Sequence, residues 1–192
     1  SDILDSARNR WPMSEGSGTA IADSIGSADA TLNGGGWESG NFVDGFATVY
    51  GGIDDYATAT VPVSSLTEWT FAITFRPDDL STTDQRFASW AENSAFGFIR
   101  MRYNASGNQL IEWAVADGST DQTVTTTTAI TTSDLVRVVG TVDENNQLTI
   151  SLNGSEEDTT SFGTMGDVSD THEWGRSATS GGNYSECAID DP

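Results

Sequence analysis

The stretch WTFAITFRP, residues 69–77, places Trp69, Phe71, Ile73 and Phe75 at every second position, with Thr70, Ala72, Thr74 and Arg76 between them. A period of two is that of a half-buried strand, whose successive side chains point to opposite faces. The pattern continues in LVRVVGTVDENNQLTISLNG, residues 135–154. There Val136, Val138 and Val142 keep the period, a polar Asp-Glu-Asn-Asn turn follows, and Leu148, Ile150 and Leu152 resume it. Two such runs joined by a short polar turn predict a hairpin. Asn153 and Gly154 supply a second tight turn, because both tolerate left-handed backbone, and lead into the acidic stretch Glu-Glu-Asp-Thr-Thr.

Outward from this hairpin, strands are expected at 9–14, 46–50, 55–61, 85–90, 96–103, 108–116, 122–128 and 184–189, with Gly, Asn and Asp between them. Helix signals are nearly absent. Many short strands separated by turn residues predict an all-β fold, a two-sheet antiparallel jelly-roll sandwich. One domain over residues 1–192 suits the length, and 36% hydrophobic content with six Trp and eight Phe fills a sizeable core. The threonine-rich run QTVTTTTAITT, residues 122–132, has the composition of a glycosylated stalk but lacks proline, and threonine is a good strand former. Strand and loop are expected there.

All eight basic residues are arginine, against twenty-nine Asp and Glu, for a net charge of -21. Such a chain repels itself in dilute buffer, whereas at 1 M salt the Debye length falls to about 3 Å and the repulsion is screened. The composition points to a protein that works in concentrated salt, from a halophile or a virus of halophiles. No basic stripe exists to displace counter-ions from phosphates, so nucleic acid is excluded as a partner. No apolar run approaches the length of a membrane span, and no membrane insertion is expected. Cys187 is the only cysteine and His172 the only histidine. A Cys/His zinc site and a Ser-His-Asp triad are therefore disfavoured, and Cys187 is expected in a strand, His172 in a loop.

Several segments resemble the laminin G-like jelly-roll domains of the concanavalin A-like lectin and glucanase superfamily. WPMSEGSGTAIADSIGSADATL (11–32) is similar to the family's opening strand and its Asp-Ser-x-Gly turn, here Asp23, Ser24 and Gly26. VYGGIDDYATA (49–59) resembles the Phe-Asp-Gly-x-Asp-Asp-Tyr-Val segment, with Tyr50 and Gly51 in place of Phe and Asp. The hairpin closing on SLNG and the C-terminal WGRSATSGGNYSECAIDDP (174–192) resemble the family's hairpin and its Gly-Arg loop and Ile-Asp stretch. Family members continue past that Ile-Asp pair into a full strand of about eight residues. The resemblance therefore implies a domain that lacks its last strand or continues beyond Pro192, or one completed by a partner's strand.

The resemblance also frames the chemistry. Retaining glycosidases need two carboxyl groups about 5–5.5 Å apart, and related glucanases place them at alternating positions of one strand. SEEDTT and TVDENNQ are instead read as turns, so no enzyme is expected and a glycan hydrolase is the minor alternative. A cation site, with calcium as the candidate ion, is implied by relatives in which the Asp-Ser-x-Gly turn lies near the Ile-Asp pair. That would bring Asp23 and Asp190 together, with Glu15 and Asp191 to complete the shell; the alternative is that Asp23 caps a turn.

A third site follows from the residues alone. In GFIRMRY, Arg100 and Arg102 alternate with Ile99, Met101 and Tyr103; in LIEWAVA, Glu112 alternates with Ile111, Trp113 and Val115; Arg86 and Trp90 are placed on one face of the preceding strand. Arg86, Trp90, Arg100, Arg102 and Glu112 are the expected ligand-binding set, because arginine forks carboxylates and sulfates and an aromatic ring stacks on sugars. The alternative is cross-strand ion pairing with Glu112 and neighbouring acids. Three sequons, at Asn104, Asn153 and Asn183, permit glycosylation. These readings favour non-catalytic recognition of surface carbohydrate, acidic or sulfated, in an extracellular or virion-surface setting. The alternative is a structural module of a spike, turret or fibre, with protein contacts in a homo-oligomer or larger assembly.

Overall fold

A computed structural model of the chain describes residues 8–61, 68–81, 85–92, 99–103, 109–116, 121–132, 134–163, 168–176, 184 and 186–190. Two antiparallel sheets face one another. The first has eight strands in the order β1 (Ala20–Ile21), β2 (Ala30–Asn33), β5 (Tyr56–Thr60), β14 (Val168–Trp174), β7 (Arg86–Glu92), β8 (Ile99–Tyr103), β9 (Ile111–Ala116) and β10 (Asp121–Thr125). The second has seven: β13 (Ser155–Ser161), β12 (Gln147–Leu152), β11 (Val136–Val142), β6 (Trp69–Pro77), β15 (Glu186–Asp190), β4 (Phe46–Gly51) and β3 (Gly36–Ser39). β15 pairs with β4 on one side and β6 on the other, which gives the seven-stranded sheet a jelly-roll order. Among the described residues there is no helix, and the expected all-β jelly-roll sandwich is the fold.

The hairpin of residues 135–154 lies in the second sheet, between β6 and the edge strand β13. β11 pairs with β12 and with β6, so Val138 lies between Leu152 and Ile73. The Asn153–Gly154 turn has φ of 50° and 85°, the left-handed pair of a type I′ hairpin. Asn153 also fixes the turn by accepting the Arg137 N–H on Oδ1 at 2.9 Å.

Between the sheets lies an aromatic core. Trp113, Trp174, Phe75 and Phe87 are fully buried, and Phe75 stacks on Phe87 at 4.1 Å. Trp113, on β9, crosses the interior to lie on the bare backbone of Gly140 in β11: a Cβ there would sit 2.3 Å from the indole. Trp69 meets the same indole edge-on at 5.0 Å, and Phe71 stacks on it at 6.2 Å.

Several sequence expectations are corrected. Residues 9–14 form no strand: their Trp11 and Met13 are buried, but Met13 has φ of 52°, and the segment is tied by the Trp11 indole donating to the Ala28 carbonyl rather than by a ladder. Five strands lacked a clear periodic signal, namely β1, β2, β3, β13 and β14. His172 is not in a loop but in β14, fully buried against Trp11, Phe71 and Trp174. Cys187 lies buried in β15, as a small strand residue.

The acidic stretch 155–161 is a strand and not a turn, since β13 pairs along β12. Ile150 pairs with Asp158 and Ser151 with Glu156, so Glu157 is the extra residue of a bulge. Its carboxylate reaches the other sheet, accepting the N–H groups of Thr127 at 3.0 Å and Thr128 at 3.1 Å as well as both hydroxyls. Asp158 accepts the Thr125 N–H at 3.1 Å. These acids close the sandwich along its β10–β13 edge, and the Thr127 hydroxyl leads the contacts that hold the Glu157 carboxyl below its ordinary range.

Gly140→Ala should cost about 1–3 kcal/mol, the range for an over-packed core, read as a lower denaturant midpoint; an unchanged midpoint would remove the Trp113 contact from its central place. His172 supplies a second test. Burial pushes its pKa down to about 3, against the ordinary 6.5, with a hydrogen bond to the Ser89 backbone opposing that shift. The neutral ring is thus favoured in the fold, so its contribution is complete above pH 6.5 and is lost as pH falls toward 3, by at most about 1.4 kcal/mol per pH unit. Thermal melts in constant salt should show stability declining from pH 7 to 4, and His172→Phe should flatten that decline.

Candidate functional site

Trp174 and His172 point into the core, so Glu173 between them belongs to the outer face of the eight-stranded sheet. Register carries that face across five more strands. Thr58, Glu173, Ser89, Arg100, Ala114 and Thr123 occupy one row from β5 to β10. Arg86, Arg102, Glu112 and Thr125 occupy another, from β7 to β10. Four of the five expected ligand-binding residues, Arg86, Arg100, Arg102 and Glu112, are therefore brought to one face, where Arg86 and Glu112 are buried, as are Ser89, Ala114 and Glu173 in the neighbouring row. Arg86 and Arg102 are direct cross-strand neighbours.

Trp90 is not in those rows. Arg86 pairs with Arg102 and Ala88 with Met101, so Phe87 is an extra residue on β7. This bulge lets two consecutive residues, Phe87 and Ala88, be buried in the core, and it shifts the alternation by one. Trp90 falls in register with His172 and Ile99, the row of buried Val115. The sequence reading assumed unbroken alternation from Arg86 to Trp90, which the bulge corrects.

The structure adds a cluster that sequence reasoning missed. The Arg176 guanidinium lies 3.2 Å above the centre of the Tyr56 ring. Its Nε and Nη2 fork the Glu173 carboxylate at 2.8 and 2.7 Å. Glu173 heads the interactions that raise the Arg176 pKa; burial opposes them, and a hydrogen bond with Tyr184 adds to them. Ser89 Oγ donates to the Arg176 carbonyl at 3.1 Å. Gly175 makes the placement possible: its φ is 81°, its N–H donates to the Phe87 carbonyl, and a side chain there would strike Tyr50. Glu173 and Arg176 stand three apart in the sequence, but nothing local shows that Tyr56, far earlier in the chain, lies beneath them.

The expected cation ligands are placed differently. Asp23 Oδ1 accepts the N–H groups of Arg10, Ile25 and Gly26 at 3.0, 3.1 and 2.8 Å. Oδ2 accepts those of Ala28 and of the Asn9 amide. Partial burial raises its pKa, but these donors outweigh that and hold it at about 2. A carboxylate so filled caps a turn. Glu15 accepts the Ala22 N–H at 2.8 Å, and buried Asp190 accepts that of Val43 at 2.6 Å. Asp191 lies outside the described residues, as do the sequons at Asn104 and Asn183. Among the described residues no group of three or more His, Cys, Asp or Glu side chains is arranged to hold a metal.

Across the bulge, Asp158 shares the row of Ile150 and Glu156 that of Ser151, so the two carboxylates sit on opposite faces of β13.

Residues 51–192 match a laminin G family model described as concanavalin A-like lectin/glucanases superfamily. The chain belongs to this superfamily. No curated protein matches the sequence. Among solved structures, this superfamily member is similar to botulinum neurotoxin type C in a structure described by its interaction with two ganglioside molecules, with TM-score 0.72 and 12% identity over 99% of this chain and 47% of the toxin chain. It is also similar to domain 4 of AbnA, an extracellular arabinanase of Geobacillus stearothermophilus in complex with arabinotriose, with TM-score 0.71 and 16% identity over 96% of this chain and 89% of that one. The CBM40 of a Ruminococcus gnavus sialidase bound to α2,3-sialyllactose gives 0.53 and 15% over 67% and 75%. The chain spans about half the length of the neurotoxin chain. At these identities the likeness is one of fold.

Asp23→Asn replaces a carboxylate held ionised in the fold. The stability that Asp23 contributes is present above pH 4 and is lost as pH falls toward 2, because its pKa is lowered on folding. After solvent screening the substitution should cost about 1 kcal/mol at pH 7, measured by denaturant titration. At constant ionic strength, exchanging calcium for a chelator should leave the melting temperature unchanged; a shift of several degrees would restore a cation site.

Proposed function

We propose that this domain is a non-catalytic recognition module for surface carbohydrate, and that its contact surface is the outer face of the eight-stranded sheet. The observation that carries the reading is the register. Arg86, Arg100, Arg102 and Arg176, half of the arginines in a chain of net charge -21, gather on one face of one sheet. Directly opposed like charges are unfavourable on a sheet unless a counter-charge joins them. Glu112 stands opposite Arg102 in the next strand as one such counter-charge. Acidic or sulfated glycan is the class that this surface suits, since the guanidinium fork matches carboxylate and sulfate oxygens.

The neurotoxin, arabinanase-domain and CBM40 structures, described with ganglioside, arabinotriose and sialyllactose, support carbohydrate as the partner. The acidic composition supports an extracellular setting in concentrated salt, where screening weakens the molecule's repulsion of an anionic ligand. Opposite-facing Glu156 and Asp158 support binding rather than hydrolysis.

A glycan array probed in molar salt should retain acidic or sulfated glycans. Arg102→Ala should weaken that retention about tenfold, the loss expected for one charge-assisted contact, while Arg137→Ala, on the other sheet, leaves it unchanged. Retention of no glycan would sink the reading.

A further inference from the structure

We infer that Tyr56, Glu173 and Arg176 form a second contact point on this face, which recognises a pair of neighbouring hydroxyls on an uncharged sugar ring beside the anionic group. The inference rests on the proposed glycan-binding reading and assigns a different chemistry to a different part of the same surface.

At Arg86 and Arg102 two guanidinium-bearing positions are direct neighbours across strands. At Arg176 the guanidinium is neutralised by a two-point fork with Glu173, in side chains exposed by 19% and 7%. A balanced ion pair has little net attraction for an anion. Arg176, which also hydrogen-bonds Tyr184, keeps a partly exposed edge of N–H groups beside the largely buried Glu173 carboxylate, on each of whose oxygens it takes one of about four acceptor sites. Two adjacent hydroxyls, each able to donate and accept, match that arrangement.

The geometry is fixed before any ligand arrives. Tyr56 lies under the guanidinium plane, Glu173 holds one edge, and Ser89 holds the main chain behind it. The side-chain entropy that binding would otherwise cost has already been lost. Spacing joins the two points. Glu173, Ser89 and Arg100 share one row, so Glu173 and Arg100 are two strand intervals apart, about 10 Å. An oligosaccharide lying across the strands would meet the Glu173–Arg176 pair with one ring and the arginine rows with another.

The test uses the whole domain and two probes, a partly sulfated dextran oligosaccharide and unsulfated dextran of the same length, titrated calorimetrically at two salt concentrations. Arg176→Lys, which keeps the charge but loses the fork, should weaken binding of both probes about tenfold, and the weakening should not depend on salt. Tyr56→Leu, which removes the ring beneath the guanidinium, should weaken both probes to a similar extent as Arg176→Lys. Arg102→Ala should weaken only the sulfated probe, more at the lower salt. Melting temperatures taken alongside identify any variant that binds poorly because it is unfolded; for such a variant, shifts of the Arg176 Nε–H resonance on adding unsulfated dextran to wild type decide instead. If the sulfated probe responds to Arg102→Ala while Arg176→Lys and Tyr56→Leu leave both affinities unchanged, this inference fails and the glycan reading survives. If wild type binds neither probe and retains no glycan on the array, both fail.

Discussion

The contact of Trp113 with Gly140 sets the relation between the two sheets. A large ring on β9 lies on the one core-facing position of β11 that has no side chain, and neither partner tolerates a change of register. In a strand, a slip of one residue would turn every side chain to the other face. Fixing Trp113 inward therefore fixes Glu112 and Ala114 outward, and through the pairing of β9 with β8 and β8 with β7 it fixes the rows of Arg102, Arg100 and Arg86. The candidate surface is in this sense a consequence of the core.

Acidic side chains take a direct part in holding the fold. Asp23 gathers five N–H donors from the N-terminal segment, Glu157 gathers two N–H and two hydroxyl donors from the segment after β10, and Asp143 accepts the N–H groups of Asn145 and Gln147 in the hairpin turn. Each satisfies backbone groups at a turn or an exposed sheet edge, where no ladder partner exists. Concentrated salt screens the repulsion among these acids over distance but does not remove short hydrogen bonds of this kind.

Where the hydrophobic period was clean, the fold was legible. β6, β11 and β12 alternate without interruption, and their register follows from the sequence. β13 was not legible because its polar residues face solvent at a sheet edge and leave no apolar period. β14 was hidden by His172 and Trp174, which read as polar and isolated until the aromatic cluster around them is assembled. The arginine rows were legible from alternation in β8 and β9, but the β7 bulge removed Trp90 from them. Tyr56, Glu173 and Arg176 come together through pairing of β5 with β14, a long-range contact that no local spacing encodes. Asp23 reads from the sequence as a turn residue or a metal ligand, and its full set of donors, which shows the turn cap, comes from backbone groups that no local pattern marks.

The proposed ligand surface is one face of one sheet, built outward from the Trp113 core contact. NMR of the arginine side chains tests it most directly, because the chain has no lysine and its eight arginines divide between that face and elsewhere. On titration with a retained glycan in molar salt, the Nε–H resonances of Arg86, Arg100, Arg102 and Arg176 should shift together, while those of Arg8, Arg10, Arg76 and Arg137 stay in place. Shifts confined to the second group, or spread evenly over both, would contradict the claim.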